Sequence, residues 1–245
     1  MLISLITLVS CGSDDEPKYP DQKMSVGDVY KIPDGSTGWT SDNVLIASVS
    51  SNGVKAERVG ETIIRNGSNS FKVTVTGKYN TYQIPCLQFG ANKSTVKGFM
   101  SGYTLRSEDD DVIIYDGKHP VSFVGYSFTN NELKTSGVFI PISAVDTEEL
   151  SNFLNERYIY VTKDDKENYI GFVSPDKKTI ILVQAKPLNS QPFWVIMYGK
   201  MSDSSSMPAH AAKMTQRPFG QISAESNTEA IEQFTQLQSR MENLK

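Results

Sequence analysis

Short strand-like runs separated by turn residues fill residues 24–77 of this 245-residue chain. Apolar and polar residues alternate within each run, which places one face of each strand in a core. Asn52-Gly53 lies between two such runs and supplies the positive φ angles of a tight hairpin turn. The pattern predicts an all-β sandwich over residues 24–77, with Trp39 in its core.

Residues 80–200 show a different pattern, in which the order helix and then strands occurs twice. The first helix is predicted around residues 94–100 and the second over residues 146–157. Asp146 and Glu149 form a capping box at the start of the second helix. Its buried face is predicted at Leu150, Phe153 and Leu154. A unit used twice predicts an α+β domain of two helix-strand units, with both helices on one face of an antiparallel sheet.

The first residues of the chain form an apolar run that is too short to cross a bilayer as a helix, which needs roughly 20 apolar residues. The run suits the core of a signal peptide and ends at Ser10, directly before Cys11. We therefore expect residues 1–10 to be a signal peptide. Residues 11–23 are expected to form an acidic tether, because Asp14-Asp15-Glu16 is a run of like charges.

A short apolar run that ends in a small residue and a cysteine resembles the lipobox of bacterial lipoproteins. This resemblance implies that Cys11 carries a diacylglycerol and that the membrane is a partner through this lipid anchor. The acidic run directly behind the cysteine is similar to the export signal that some Gram-negative gut anaerobes use for surface lipoproteins. The implied location is the outer membrane, with the chain lipid-anchored and exposed at the cell surface.

Four segments of the first domain resemble the bacterial immunoglobulin-like domain of group 2. They are Val26-Gly27-Asp28, Trp39 to Asn43, Ile46 to Val54, and Val59 to Ile64. The resemblance implies an immunoglobulin-like sandwich that serves as a spacer or adhesion module.

The tandem arrangement of residues 80–200 is similar to the fold shared by β-lactamase-inhibitor proteins and small outer-membrane assembly lipoproteins. Residues 85–90, Pro-Cys-Leu-Gln-Phe-Gly, also resemble uncharacterised lipoproteins of the gut anaerobes. Known members of these groups imply binding and no chemistry.

Residues that could carry out catalysis or hold a metal are few. The two histidines, His119 and His210, are far apart in sequence, and zinc needs three or four ligands with ordered spacing. Cys86 lies in an apolar run, so we expect its thiol to be buried and inert. No nucleophile or phosphate-binding motif occurs, so we expect no enzymatic activity, no metal and no cofactor. Residues 108–111, Glu-Asp-Asp-Asp, are more typical of a solvated turn than of a calcium site.

Net charge adds one more exclusion. The chain carries a formal charge of −4, so its bulk electrostatics favour no nucleic-acid partner.

A pair of carboxylates that meets only in the fold would leave no sequence signature, so a polysaccharide-processing enzyme stays open as a less favoured alternative.

Aromatic residues of the second domain are the weak candidates for ligand contacts, because a sheet with one uncovered face would expose a row of them. Aromatic residues serve cores equally well, and alternation turns about half of them inward. The candidates are Tyr103, Tyr115, Tyr126, Tyr158, Tyr169 and Trp194.

Residues 201–245 are expected to be a linker followed by a C-terminal amphipathic helix. The predicted helix carries a narrow apolar stripe, which could dock on the protein's own sheet or support self-association with another chain. The stripe consists of Ile231, Phe234, Leu237, Met241 and Leu244.

Together these patterns and resemblances imply a non-catalytic surface lipoprotein that binds or adheres to a protein or glycan. A structural component of an outer-membrane complex is the alternative that the C-terminal helix keeps open.

Overall fold

The computed structural model describes residues 18–164 and 169–201. Cys11, His210, the signal peptide and the predicted C-terminal helix lie outside the described residues. In the first domain the strands are β1 (Gln22–Ser25), β2 (Val29–Tyr30), β3 (Thr40–Ser41), β4 (Ala47–Ser50), β5 (Gly53–Ala56), β6 (Gly60–Asn66) and β7 (Asn69–Thr76).

Two sheets form the first domain. One has the order β1-β7-β6-β3, with β1 parallel to β7, and the other has the order β2-β5-β4. Both sheets contribute to one core, in which Val54 of β5 and Val73 of β7 are fully buried. Trp39 is 6% exposed in this core, as predicted, and its ring lies 5.4 Å from that of Phe71.

The hairpin between β4 and β5 turns at Ser51-Asn52, one residue before the predicted pair, because Ser50 pairs with Gly53. Of the predicted Asn52-Gly53 pair, only Gly53 has a positive φ. Gly53 has a φ of 116°, and a Cβ atom at this position would stand 2.2 Å from the carbonyl oxygen of Tyr30. Glycine is therefore required here both by the backbone conformation and by the close approach of β2.

The second domain contains two helices and eight strands. Its elements are α1 (Lys93–Phe99), β8 (Leu105–Glu108), β9 (Val112–Asp116), β10 (Phe123–Thr129), β11 (Glu132–Pro141), a 3₁₀ turn (Ile142–Ala144), α2 (Thr147–Asn155), β12 (Ile159–Asp164), β13 (Tyr169–Val173), β14 (Thr179–Leu188) and β15 (Gln191–Lys200). The strands form one antiparallel sheet in the order β12-β13-β14-β15-β11-β10-β9-β8.

Local sequence signals explain where both helices begin. The Asp146 carboxylate accepts hydrogen bonds from the backbone N–H groups of Glu148 and Glu149, at 2.8 and 3.2 Å, and so caps α2. Asn92 caps α1 in the same way through the N–H of Thr95, at 3.0 Å. Helix α2 buries the three residues that its spacing predicts, Leu150, Phe153 and Leu154.

Each face of the sheet carries buried apolar side chains. The helices pack on one face, where Val96 of α1 and Phe153 of α2 join a core with Tyr126, Ile181 and Tyr198. The opposite face carries a second cluster, contributed by β9, β11, β14 and β15. Its members are Val112, Ile114, Phe139, Ile180, Leu182, Leu188, Phe193, Val195 and Met197.

The prediction of a β-rich chain is confirmed, since strands dominate both domains and the described residues contain two short helices. The α+β description overstates the helices. Helix α1 has seven residues and buries only Val96, so it contributes little to a layer over an eight-stranded sheet.

Candidate binding site

Polar contacts join the two domains at what we call the junction. The backbone N–H of Val59, which precedes β6, donates to the carbonyl oxygen of Glu156 at 2.8 Å. The amide of Asn43 donates to the carbonyl oxygen of Pro175 at 3.2 Å, which ties the β13–β14 turn to the first domain. Arg58 reaches the carbonyl oxygen of Tyr158 at 3.4 Å, and burial lowers the pKa of its guanidinium.

Glu156 and Arg157 complete the junction just after α2. The Glu156 carboxylate is almost fully buried and accepts from the backbone N–H groups of Lys78 and Tyr79, at 2.8 and 3.1 Å. The Arg157 guanidinium donates to the carbonyl oxygens of Tyr79 and Phe153, at 2.9 and 3.1 Å, and lies 3.8 Å from the Glu156 carboxylate. Burial lowers the pKa of Arg157. The segment between the domains is therefore bound to the end of α2 through its N–H groups, by Glu156, and through a carbonyl oxygen, by Arg157.

An open cavity of about 860 Å³ lies along the junction, and we call it the junction groove. Its walls come from Ile46, from residues 59–61, from residues 84–89, from residues 157–158, from the β13–β14 turn and from the end of β15. Apolar side chains form much of the lining, and this volume falls within the range of small-molecule sites. These side chains are Ile46, Val59, Ile84, Leu87, Phe89 and Met201.

Three lysines lie together on one side of the groove. Lys177 and Lys178 belong to the β13–β14 turn, and Lys200 ends β15. The N–H of Met201 donates to the carbonyl oxygen of Lys178 at 2.8 Å, so the turn and the end of β15 are adjacent. All three side chains are exposed, and among the described residues none of them forms an ion pair.

Two carboxylates also line the groove, and each is bound by its own neighbours. Asp176 accepts from the hydroxyl of Ser174 at 2.5 Å and from the N–H of Lys178 at 3.1 Å, which stabilises the turn. Glu61 accepts from the hydroxyl of Thr74 at 3.0 Å on the exposed face of the first domain. Within residues 18–164 and 169–201, no group of three His, Cys, Asp or Glu side chains could hold a metal ion. The arrangement is suited to hold a ligand by contact and charge.

Three of the six candidate aromatic residues lie in the core, so the sheet does not expose the row that a bare face would show. Tyr115, Tyr126 and Tyr158 are 4%, 0% and 7% exposed. The two helices and residues 79–89 pack on the face on which these residues lie. The Tyr126 hydroxyl donates to the sulfur of Met100 at 3.0 Å and accepts from the N–H of Cys86 at 3.3 Å.

Tyr158 belongs to a cluster of buried hydroxyl groups. The hydroxyls of Tyr82 and Tyr198 are 2.6 Å apart, and the rings of Tyr158 and Tyr198 meet edge to face at 6.1 Å. Burial raises the pKa of Tyr158 to about 12 and raises the pKa values of Tyr82 and Tyr198 well above the usual range. Tyr158 is also the one candidate that lines the junction groove.

The other three candidates are partly buried and lie apart from the groove lining. The Tyr103 hydroxyl donates to the side chain of Gln83 at 2.7 Å, and Lys118 lies 4.4 Å from its ring centre. Tyr169 packs at the margin of the cluster on the face opposite the helices. Trp194 packs against the helix-side core, and its indole nitrogen has no hydrogen-bond partner among the described residues.

The remaining chemical candidates have structural surroundings. Cys86 is a free thiol with 1% exposure, as the apolar run around it predicted. His119 precedes Pro120 in a cis peptide within the loop before β10. In the acidic run, the Asp109 carboxylate accepts from the N–H groups of Asp111 and Val112, at 2.9 and 2.8 Å, as in a tight turn.

Sequence reasoning did not find the groove lysines. The Pro175-Asp176 turn is visible in the sequence. The two consecutive lysines after this turn are the sequence signal that could have pointed to the groove lysines.

No family model, curated protein or solved structure matches this chain. None of the helices in the described ranges has the length and apolar character needed to cross a bilayer.

Proposed function

We propose that this chain is a non-catalytic binding protein, lipid-anchored at the bacterial outer surface, which holds its ligand in the junction groove. The groove itself is the observation that supports this proposal. Its walls come from both domains, and several hydrogen bonds fix those domains against each other. Sites at domain interfaces are common in binding proteins, because neighbouring modules create a concave surface that neither has alone.

The parts of the chain would divide the work as follows. Cys11 would carry the lipid, and residues 11–23 would act as the tether. The two-sheet domain would be a group 2 immunoglobulin-like spacer, which its two sheets and shared core support. The larger domain would be built from two helix-strand units, since α1 and α2 each precede four strands of the one antiparallel sheet. Protein and glycan ligands are both compatible with this organisation.

The carboxylates of the groove favour binding over hydrolysis. Hydrolysis of a glycoside needs two carboxyl groups that face the substrate from opposite sides. Asp176 is committed to its turn and Glu61 to its strand neighbour, so neither is arranged for acid–base work.

Blocking the groove tests the proposal. The chain from Gly12 to Lys245 is screened against glycan and peptide arrays beside two tryptophan variants. Gln88 is exposed in the groove lining, so Gln88→Trp fills the groove, whereas Ser101→Trp adds the same bulk at an exposed position outside the lining. We expect Gln88→Trp alone to lose captured ligands. Equal capture by both variants would show that ligands bind elsewhere.

The anchor is tested separately in cells. We expect Cys11→Ser to abolish labelling by radioactive palmitate and to release the chain from the membrane fraction. Labelling that persists in this variant would contradict the proposed anchor.

A further inference from the structure

The junction groove has an uneven distribution of charge on a protein that is acidic overall. Four cationic and two anionic side chains line it, an excess of two positive charges, whereas the whole chain carries −4. The Arg157 guanidinium donates its hydrogen bonds to neutral carbonyl groups and lies 3.8 Å from the Glu156 carboxylate. The three lysines lack an ion pair among the described residues. The groove therefore attracts anions although the protein as a whole does not.

The three lysines and most of the apolar side chains of the groove come from different segments of the chain. Lys177, Lys178 and Lys200 are brought together where the β13–β14 turn meets the end of β15. Leu87 and Phe89 come from the loop before α1, and Ile46 and Val59 come from the first domain. A ligand that spans the groove thus meets ammonium groups at one side and hydrocarbon along the other walls.

Apolar surface makes up most of the lining, and this favours one class of ligand. A glycan or an extended peptide needs a series of donors and acceptors, since unpaired polar groups are costly to bury. The Ser174 hydroxyl is engaged by Asp176, and Arg157 is engaged by backbone carbonyls. An acyl chain needs no hydrogen bonds, and its burial is favourable in proportion to its apolar area.

Resting on the proposed function of the groove, we propose that its ligand is a single-chain amphiphilic anion, an acyl or alkyl chain with a carboxylate or phosphate head. The head lies at the three lysines and the chain lies along the apolar walls. A carboxylate would come from a free fatty acid and a phosphate from a lysophospholipid-type lipid.

Calorimetric titration of the chain from Gly12 to Lys245 tests the assignment. The probes are decanoate, decyl phosphate and decyltrimethylammonium, each below its micelle concentration. We expect the two anions to bind saturably and the cation to bind more weakly, with anion affinity falling as salt is added. The tighter of the two anions identifies the head group. Equal binding of the cation, or binding of none of the three, would overturn the proposal.

Lysine variants locate the head group. Replacing Lys177, Lys178 and Lys200 together by Gln should weaken anion binding about tenfold, because three partly exposed charge contacts are lost. The same change at Lys23, Lys31 and Lys118, which are exposed outside the lining, should leave binding unchanged. Near-ultraviolet circular dichroism verifies that both triple variants are folded. Equal affinities in the two triple variants would overturn the assignment.

The groove-filling variant separates the two proposals. Loss of decanoate binding in Gln88→Trp, but not in Ser101→Trp, places the acyl chain in the groove. If array ligands are lost in Gln88→Trp while no amphiphile binds the unaltered chain, the groove is a binding site and the amphiphile assignment is wrong. Decanoate binding that survives Gln88→Trp contradicts the assignment directly.

Discussion

Replacing Glu156 by Ala should loosen the junction more than any other single truncation there. The carboxylate is 10% exposed and accepts from the backbone N–H groups of Lys78 and Tyr79. A hydrogen bond to a charged group contributes about 1.5–3 kcal/mol, and removal of one partner of a buried pair costs about 3–5 kcal/mol. Water can reach part of the space that the side chain leaves. We therefore expect a loss of about 3 kcal/mol in the free energy of unfolding.

Tryptophan fluorescence during urea unfolding measures this loss for each domain. The chain has two tryptophans, Trp39 in the first domain and Trp194 in the second. Trp194→Phe leaves a reporter in the first domain, and Trp39→Phe leaves one in the second. With a urea dependence of about 2 kcal/mol per molar, a 3 kcal/mol loss lowers the midpoint by about 1.5 M. Because the Glu156 carboxylate binds the segment between the domains, the transitions of the two reporters should also separate in Glu156→Ala.

A glutamate within α2 supplies the matched control. Glu148 lies in the first turn of α2, where its charge favours the helix dipole by about 0.3–1 kcal/mol. We expect Glu148→Ala to cost no more than this and to keep the two transitions together. If Glu156→Ala costs as little as Glu148→Ala, the reasoning about the junction is refuted.

Three further predictions concern the core, a turn and a helix cap. The pKa of Tyr158 is raised to about 12 by burial, so its neutral form is favoured in the folded state. The contribution of Tyr158 to stability is fully present below pH 10, where the phenol is protonated in both the folded and the unfolded chain. About 3 kcal/mol of stability should be lost between about pH 10 and 12, because there the unfolded chain releases the proton and the folded chain keeps it. Urea midpoints across this range should fall less steeply for Tyr158→Phe. Gly53→Ala brings a Cβ atom to 2.2 Å from the carbonyl oxygen of Tyr30, whereas Gly67→Ala meets open space at a φ of 58°. Thermal melts should therefore show a loss above about 3 kcal/mol for Gly53→Ala and about 1 kcal/mol for Gly67→Ala, and equal losses would contradict the close contact. Asp146→Ala should cost about 1 kcal/mol and Asp146→Asn much less, in urea unfolding, because Asn keeps an acceptor oxygen at the cap.

Features that depend on neighbouring residues in sequence could be predicted. Helix α2 was expected over residues 146–157 and occupies Thr147–Asn155, because its cap and its apolar spacing lie within one short segment. A turn near Asn52-Gly53 was likewise visible, since only a few residue types adopt positive φ, although it lies one residue earlier, at Ser51-Asn52. In both cases the responsible hydrogen bonds or dihedral angles are local.

The direction of the aromatic side chains could not be predicted. Alternation states that Ile114 and Tyr115 point to opposite faces of β9, but both faces of this sheet are buried. Tyr115 and Tyr126 therefore pack in the core, whereas Tyr103, outside the strands, donates from the surface to Gln83. Strand periodicity indicates which residues share a face, and only the tertiary contacts decide which face meets solvent.

The groove was beyond sequence reasoning for a related reason. Its lining comes from six separated parts of the chain, and Val59 and Lys178 become neighbours of one cavity only when the domains meet. No pattern in a window of residues carries this information. The hydrogen bonds that create the groove also use backbone atoms, such as the N–H of Val59 and the carbonyl oxygen of Pro175, whose identity the sequence does not mark.

The hydrogen bonds of the junction therefore also fix the walls of the groove. Glu156 is absent from the groove lining, but its carboxylate binds the segment that joins the domains, and its carbonyl oxygen accepts from Val59, which does line the groove. A groove whose walls are already fixed spares the ligand the entropic cost of ordering two domains. A junction of mobile domains would hold the same lysines and apolar side chains and bind more weakly. On the proposed function, the affinity of the groove should depend on junction contacts that the ligand does not touch.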